Sequence, residues 1–443
     1  MKTTTRRSLL YTVFFLFLLQ IWVIGNTQSG RDSYKDILEV DAVGYYSYLP
    51  ALFVYQDPNF SFLDKIDNKY ISSTISLVRY SAEGGDIDRY FIGTTFLMAP
   101  FYLLGTFCSY LLNVPNDGYT KYQLLSISIG ASMYLYIGLY IIGLFLKNTF
   151  QLTQKSILLT IIAFALGTNL FYYSIFEPGM SHVYSFFTVA LFIYVWSKFM
   201  NTQKFSYFLI ASLLLGLITI IRPVNILIVL SLPVIWPTTF IKTITPLFTN
   251  KLHVLVAAFV LFISIIGIQL SYYKIATGHW YVYSYNKEGF DFTQPHIWDV
   301  LFSYRKGLFV YMPILFISIA GLYYWNKQQK YTTVLWAIAF TIITYILSSW
   351  SSWSYGGCYS NRAFIEYYIF FIIPFAYLIE HLLIKIPKTV YAGIVCILLF
   401  CQIQTYQYRY YYIHWDEMNK EKYWKVFLRV DYLIKKTPVK EIY

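Results

Sequence analysis

The chain is short of charge. Only 13% of its 443 residues are Asp, Glu, Lys or Arg, against 57% that are hydrophobic. A soluble domain carries roughly 25% charged residues. With a mean hydropathy of +0.50, this is the composition of a multi-pass membrane protein, not of two or three soluble domains. Cysteine is scarce as well, at four residues. Cys108, Cys396 and Cys401 fall in apolar stretches and Cys358 stands alone in a loop, which excludes a disulfide framework and zinc-binding spacing. His253, His279, His296, His381 and His414 form no spaced ligand pair. The phosphate loop GxxxxGK(S/T), the GxSxG elbow and HExxH are all absent, so ATP-driven transport and serine hydrolysis have no support. No 20–50-residue repeat and no pair of broken helices in matching halves can be found.

What is present is a series of apolar stretches of spanning length, near 9–25, 122–146, 156–175, 180–197, 206–221, 224–240, 253–271, 307–325, 332–350, 364–384 and 389–404. The first follows Lys2, Arg6 and Arg7 and lacks a small-x-small cleavage pattern, so it reads as a retained anchor. A further apolar stretch, 91–112, is ambiguous, and charge decides it. If it does not cross, the inner loops hold Lys147 and Lys155, Lys198 and Lys204, Lys242 and Lys251, Lys327 and Lys330, and Lys385 and Lys388, with no Asp or Glu. That positive-inside pattern puts the N-terminus inside and the C-terminus outside. The 91–112 stretch then reads as an interfacial or re-entrant helix pair broken by Pro100. The expectation is an all-α polytopic membrane protein of about eleven transmembrane helices, with interfacial helices in a first outer loop, 26–121. Residues 1–404 form the membrane domain. Residues 405–443 form an outer tail, in which Tyr423, Phe427, Val430 and Ile434 make an apolar stripe beside Lys425, Arg429, Lys435 and Lys436. This predicts a basic amphipathic helix on anionic lipid. The net charge of +12 reflects topology, and no basic face suited to nucleic acid is visible.

The inner loops are too short to fold, so chemistry belongs outside. Within 36–55, Asp41, Tyr45, Tyr48 and Leu52 recur at helical spacing, with a kink expected at Pro50 and a stop at Asp57-Pro58-Asn59. An acid at a bilayer surface is a functional-site candidate. Burial there would raise the pKa of Asp41 and suit it to act as a base. Tyr45 and Tyr48 on the same face offer flat hydrogen-bonding surfaces for a sugar. Glu39 points elsewhere, as a supporting or solvent-facing acid. The alternative for Asp41 is an ordinary helix-capping charge. Arg222, between two apolar runs, and Arg305, Lys306 and Arg362, at the starts of spans, would meet lipid phosphate or a substrate phosphate. One charge pair at about 4 Å is worth roughly 4 kcal/mol at an effective dielectric near 20, before desolvation. Glu177 and His182 flank a tight turn, Glu177-Pro178-Gly179-Met180-Ser181-His182. They would orient substrate or join a metal site, and no third ligand follows from spacing.

Together these features resemble the GT-C-fold glycosyltransferases, the class of protein O-mannosyltransferases and lipid A aminoarabinose transferases, and most of all its uncharacterised bacterial branch. The resemblance rests on the inside N-terminus, the acid at 41 early in a long outer loop, and Arg89-Tyr90-Phe91-Ile92-Gly93 with Ala99-Pro100 after it. It also rests on the 177–182 turn, Arg222-Pro223, Leu301 to Phe309 with Ser303-Tyr304-Arg305-Lys306-Gly307, and Trp353-Ser354-Tyr355-Gly356-Gly357 with Asn361-Arg362. It implies that Asp41 acts as base and that the donor is a polyprenyl-phosphate-linked sugar bound from the outer leaflet. Many members carry adjacent acids, whereas this chain has Glu39-x-Asp41, which leaves the role of Glu39 open. The large outer C-terminal domain of some relatives is replaced by the tail.

The expected activity is inverting transfer of a hexose or pentose to a lipid, glycan or protein acceptor at a bacterial inner membrane. Arg222, Arg305, Arg362 and Arg89 would bind the donor phosphate. The sequence leaves a divalent metal open, and the partners are membrane lipids, donor and acceptor. A transporter or lipid flippase is the main alternative, with a polysaccharide polymerase or ligase of another membrane fold behind it.

Overall fold

The computed structural model describes residues 2–66, 78–285 and 287–431. It is mostly helical. Among the described residues six helices are long and apolar enough to cross a membrane: Arg6–Gln28, Gly93–Leu111, Lys121–Phe150, Ser181–Thr202, Leu252–Thr277 and Pro387–Arg409. A bent pair, Pro223–Ile235 with Phe240–Thr249, makes a seventh if it is one span. The helices Gln154–Leu166, Phe205–Ile221 and Thr332–Ser348 are apolar but shorter. Among the described residues one hairpin departs from an all-α fold: Arg79–Ala82 and Gly85–Asp88 pair antiparallel in the first loop. Its turn needs Gly84, at φ +92°, lying against the carbonyl of Thr277.

Several expected spans are interrupted. The 156–175 stretch breaks between Leu166 and Leu170. The freed carbonyls are not wasted: Gln402 donates to Leu166 O at 2.6 Å and the Cys401 thiol to Gly167 O at 2.9 Å. Irregular backbone inside an apolar bundle is tolerated where neighbouring helices supply such donors. The 224–240 stretch begins as a 3-10 helix at Pro223 and turns through 113° before Phe240. The 307–325 stretch is three short helices, one of them opening at Pro313, whose ring cannot continue the preceding turn.

The expected break at Pro100 is absent. Gly93–Leu111 is one continuous helix with Pro100 inside it. Both of its flanks return to one short segment. Tyr48 donates to Tyr90 O before the helix, at 2.6 Å; Tyr46 donates to Gly118 O and Tyr55 to Asp117 O after it, at 2.6 and 2.9 Å. The segment holding these tyrosines is an α-helix, Asp41–Pro50, followed by a π turn, Ala51–Tyr55. The α-helix therefore starts at Asp41, later than expected, passes into the π turn at Pro50, where the sequence predicts a kink, and the helical run stops at Gln56.

The tail also differs from expectation. The helix Pro387–Arg409 runs through the 404/405 boundary. Beyond it the expected amphipathic helix is only Lys420–Val426. Tyr423 is buried against the rings of Tyr304 and Tyr311, and Phe427 and Val430 are partly buried, so the described part of the stripe starts against protein. Ile434, Lys435 and Lys436 lie outside the described residues.

Candidate functional site

Asp41 opens its helix, and the residue before it, Val40, has φ 48°. A β-branched residue there is strained, on the order of 1–3 kcal/mol, and such strain persists where the surroundings hold it. The helix N-terminus favours a carboxylate. One turn on, Gly44 leaves room for a ring: a Cβ there would lie 2.2 Å from Tyr90. The Tyr90 ring therefore packs close against the helix and its hydroxyl donates to Asp41 Oδ1 at 2.7 Å. Arg362 Nη2 donates to Asp41 Oδ2 at 2.5 Å.

Arg362 begins a 3-10 helix, Arg362–Tyr367, which also carries Glu366. The Glu366 carboxylate is fully buried. Its Oε1 lies 3.0 Å from His182 Nδ1 and 3.4 Å from Arg222 Nη1. His182 sits in the first turn of Ser181–Thr202, just after the tight turn, whose Gly179 packs on Ala42 of the Asp41 helix. Arg222 precedes Pro223. The proline forces it out of the helical region, to φ −153° and ψ 119°, so its side chain leaves the axis of Phe205–Ile221. The guanidinium lies over the Tyr355 ring at 5.9 Å. Arg89 is paired with Glu288 and lies over Tyr285 at 5.2 Å.

These groups share one cavity of about 710 Å³. Asp41, Arg89, His182, Arg222 and Arg362 line it together with Tyr45, Tyr90, Tyr285 and Tyr355. The remaining wall is apolar, from Ile220, Ile221, Ile266, Leu270 and Leu347 on three helices. Each arginine in the wall has a carboxylate partner, but they are not held alike. Arg222 has the longest contact, 3.4 Å, against 2.5 Å for Arg362.

The electrostatics of Asp41 run opposite to the sequence expectation. Burial pushes its carboxyl up, but Arg362, the Tyr90 hydroxyl and Arg222 together outweigh burial and hold it below the usual carboxylate range. The raised acid is Glu177, pushed up to about 7 by burial. Arg362 opposes that shift, and Glu39 and Asp41 add to it.

Six expected site residues thus meet in the cavity: Asp41, Tyr45, Arg89, His182, Arg222 and Arg362. Four do not. Tyr48 is buried against Phe60 and Tyr272 and is no sugar platform. Arg305 is taken by Asp416, with Nε 3.0 Å from the backbone carbonyl and 3.1 Å from Oδ1. Glu39 is exposed and Glu177 half-buried, and neither lines the cavity wall. Lys306 is also committed, to the carbonyls of Cys358 and Trp415. Sequence reasoning missed Glu366, Glu288 and the role of Tyr90. An acid inside Ala363-Phe364-Ile365-Glu366-Tyr367 was a signal in its own right, since a carboxylate in an apolar run needs a partner. No group of three His, Cys, Asp or Glu among the described residues is arranged to hold a metal ion.

Compared with known proteins, the chain matches no family model, no curated protein and no solved structure.

Proposed function

We propose that this chain is an integral-membrane glycosyltransferase with a GT-C-like fold of about eleven spans. On this reading the N-terminus is inside and the cavity opens on the outer side of a bacterial inner membrane. A sugar moves from a polyprenyl-phosphate donor to a hydroxyl of a lipid, glycan or protein acceptor. The observation that carries the reading is one cavity joining the Asp41 carboxylate, three arginines and several tyrosines to a wall of apolar helices. An amphipathic lipid phosphate needs both kinds of wall. The topology draws support from the Gly93–Leu111 helix, whose flanks both bind the 41–55 segment. On this reading both ends of that helix lie on one side, as the positive-inside pattern requires, although by length and composition it could also cross.

In this mechanism the donor lipid lies along Ile220, Ile221, Ile266 and Leu270, with its phosphate at Arg222. The phosphate competes for Arg362, which releases the Asp41 carboxylate from its ion pair. Losing a cation raises the basicity of Asp41, so donor binding prepares the base. The acceptor oxygen attacks the anomeric carbon opposite the phosphate. The bond from that carbon to the phosphate oxygen breaks and its electron pair leaves with the phosphate. The hydroxyl proton passes to Asp41, late, once the forming bond has made it acidic. Configuration inverts. Cations that meet the leaving phosphate more strongly in the transition state than before it lower the barrier, tenfold in rate for about 1.4 kcal/mol.

The test is mass spectrometry of lipids and glycans from a deletion strain, complemented with wild type or Asp41→Asn. Loss of one sugar, restored by wild type and not by the variant at equal protein level, is expected. Unchanged glycans, or full restoration by Asp41→Asn, would overturn the reading.

A further inference from the structure

Glu366 faces two groups of opposite character with one oxygen. Its Oε1 lies 3.0 Å from His182 Nδ1 and 3.4 Å from Arg222 Nη1, and those two nitrogens are 3.4 Å apart. A carboxylate at 3.0 Å from an imidazole nitrogen is a hydrogen-bond acceptor, so that nitrogen carries the hydrogen. A guanidinium has only donors to offer. Arg222 at 3.4 Å would favour a bare Nδ1, but the carboxylate is closer, at 3.0 Å, and fully buried, so its need for a donor outweighs that contact and Glu366 fixes the Nδ1–H tautomer. The opposite ring nitrogen, Nε2, is then a lone-pair acceptor on a ring that lines the cavity. The Tyr173 ring packs edge-on against the imidazole at 5.2 Å, which limits its freedom to flip.

We propose that His182 is a substrate-binding residue whose Nε2 accepts a hydrogen bond from a hydroxyl of the transferred sugar, with Glu366 as its positioning residue. In this tautomer Nε2 cannot donate to a phosphate oxygen, so His182 belongs to the sugar and not to the leaving group. Arg222, a pure donor on the same carboxylate, belongs to the phosphate. Glu366 thereby marks where the phosphate end of the cavity meets the sugar end. The proposal rests on the transferase reading for the identity of the ligand, though not for the tautomer.

The first experiment reads the tautomer without any transfer assay. The full chain is labelled with 15N-histidine in lipid nanodiscs, and the His182 signals are identified by their loss in His182→Gln. A neutral ring bearing hydrogen on Nδ1 is expected in the wild type, and its loss in Glu366→Leu. Hydrogen on Nε2 in the wild type would overturn the proposal, whether or not the chain transfers sugar. The second experiment uses the complemented deletion strain. Gln can place an amide oxygen where Nε2 was, whereas Phe cannot accept a hydrogen bond. His182→Gln is expected to retain about tenfold more glycan output than His182→Phe at matched levels of folded protein, the size of one or more lost hydrogen bonds. Equal output from the two variants would overturn the assignment. A deletion strain with unchanged glycans would instead refute the transferase reading, and the labelled-histidine result would stand.

Discussion

Arg362→Gln removes the cation that faces Asp41. The pair is short, 2.5 Å, and little exposed, 10% for Arg362 and 19% for Asp41. Breaking one partner of a buried ion pair costs 3–5 kcal/mol, because the other charge is left uncompensated. Partial exposure and the remaining Tyr90 hydrogen bond place this pair at the low end, about 3 kcal/mol. Asp41→Asn should cost a similar amount, since the buried Arg362 is then left without the carboxylate that faces it. The double variant removes both charges, so the losses should not add, with a coupling of about 2 kcal/mol. The assay is denaturant or thermal unfolding in detergent micelles for all four proteins. The sign with pH is also determined. Asp41 is held below its ordinary value in the fold, so it contributes stability present above the unfolded pKa and lost as pH falls through the lower, folded one. Arg362→Gln should flatten that acid limb. Additive losses, with coupling under about 0.5 kcal/mol, and an unchanged acid limb would refute the buried pair.

Glu177 behaves with the opposite sign. Its folded pKa is about 7, above the ordinary carboxylate value, so the fold loses stability as pH rises between the two values. Glu177→Gln should therefore be neutral near pH 4 and stabilising near pH 8, by up to roughly 3 kcal/mol, read as a shift in unfolding midpoint. Arg305→Ala and Asp416→Ala should each cost about 1 kcal/mol or less, because the pair is a third exposed. Neither should change donor KM in a transfer assay, since Arg305 lies away from the cavity wall. Tyr48→Phe orphans the Tyr90 carbonyl and should cost about 1 kcal/mol of stability with no change in substrate preference. Tyr45→Phe, in the cavity wall, should alter transfer instead.

The cavity was legible in part because cost marks residues in a membrane chain. Asp41, Arg222 and Arg362 stand out in sequence as charges beside apolar runs, and all three line the cavity. Arg305 stands out equally, and its partner Asp416 sits 111 residues away on a tail that sequence assigned to lipid. Tyr48 shares a helical face with Asp41 and Tyr45 by spacing alone. What turned it from the cavity is the packing of Phe60 and Tyr272 around it, which periodicity does not encode. Glu366 lies inside the expected span 364–384, and its partners His182 and Arg222 are 184 and 144 residues away, which spacing does not reveal.

Composition and charge pattern by themselves determined a helical chain with membrane-spanning segments, because few buried charges and long apolar runs have no other stable setting. They also singled out Asp41, since its cost of burial demands a partner. Tertiary structure alone decided who that partner is and what it does to the acid. Burial should have raised Asp41, yet Arg362, brought from 321 residues away, makes it a stronger acid instead. The pKa of a buried group is set by what faces it in space, and that is not written along the chain.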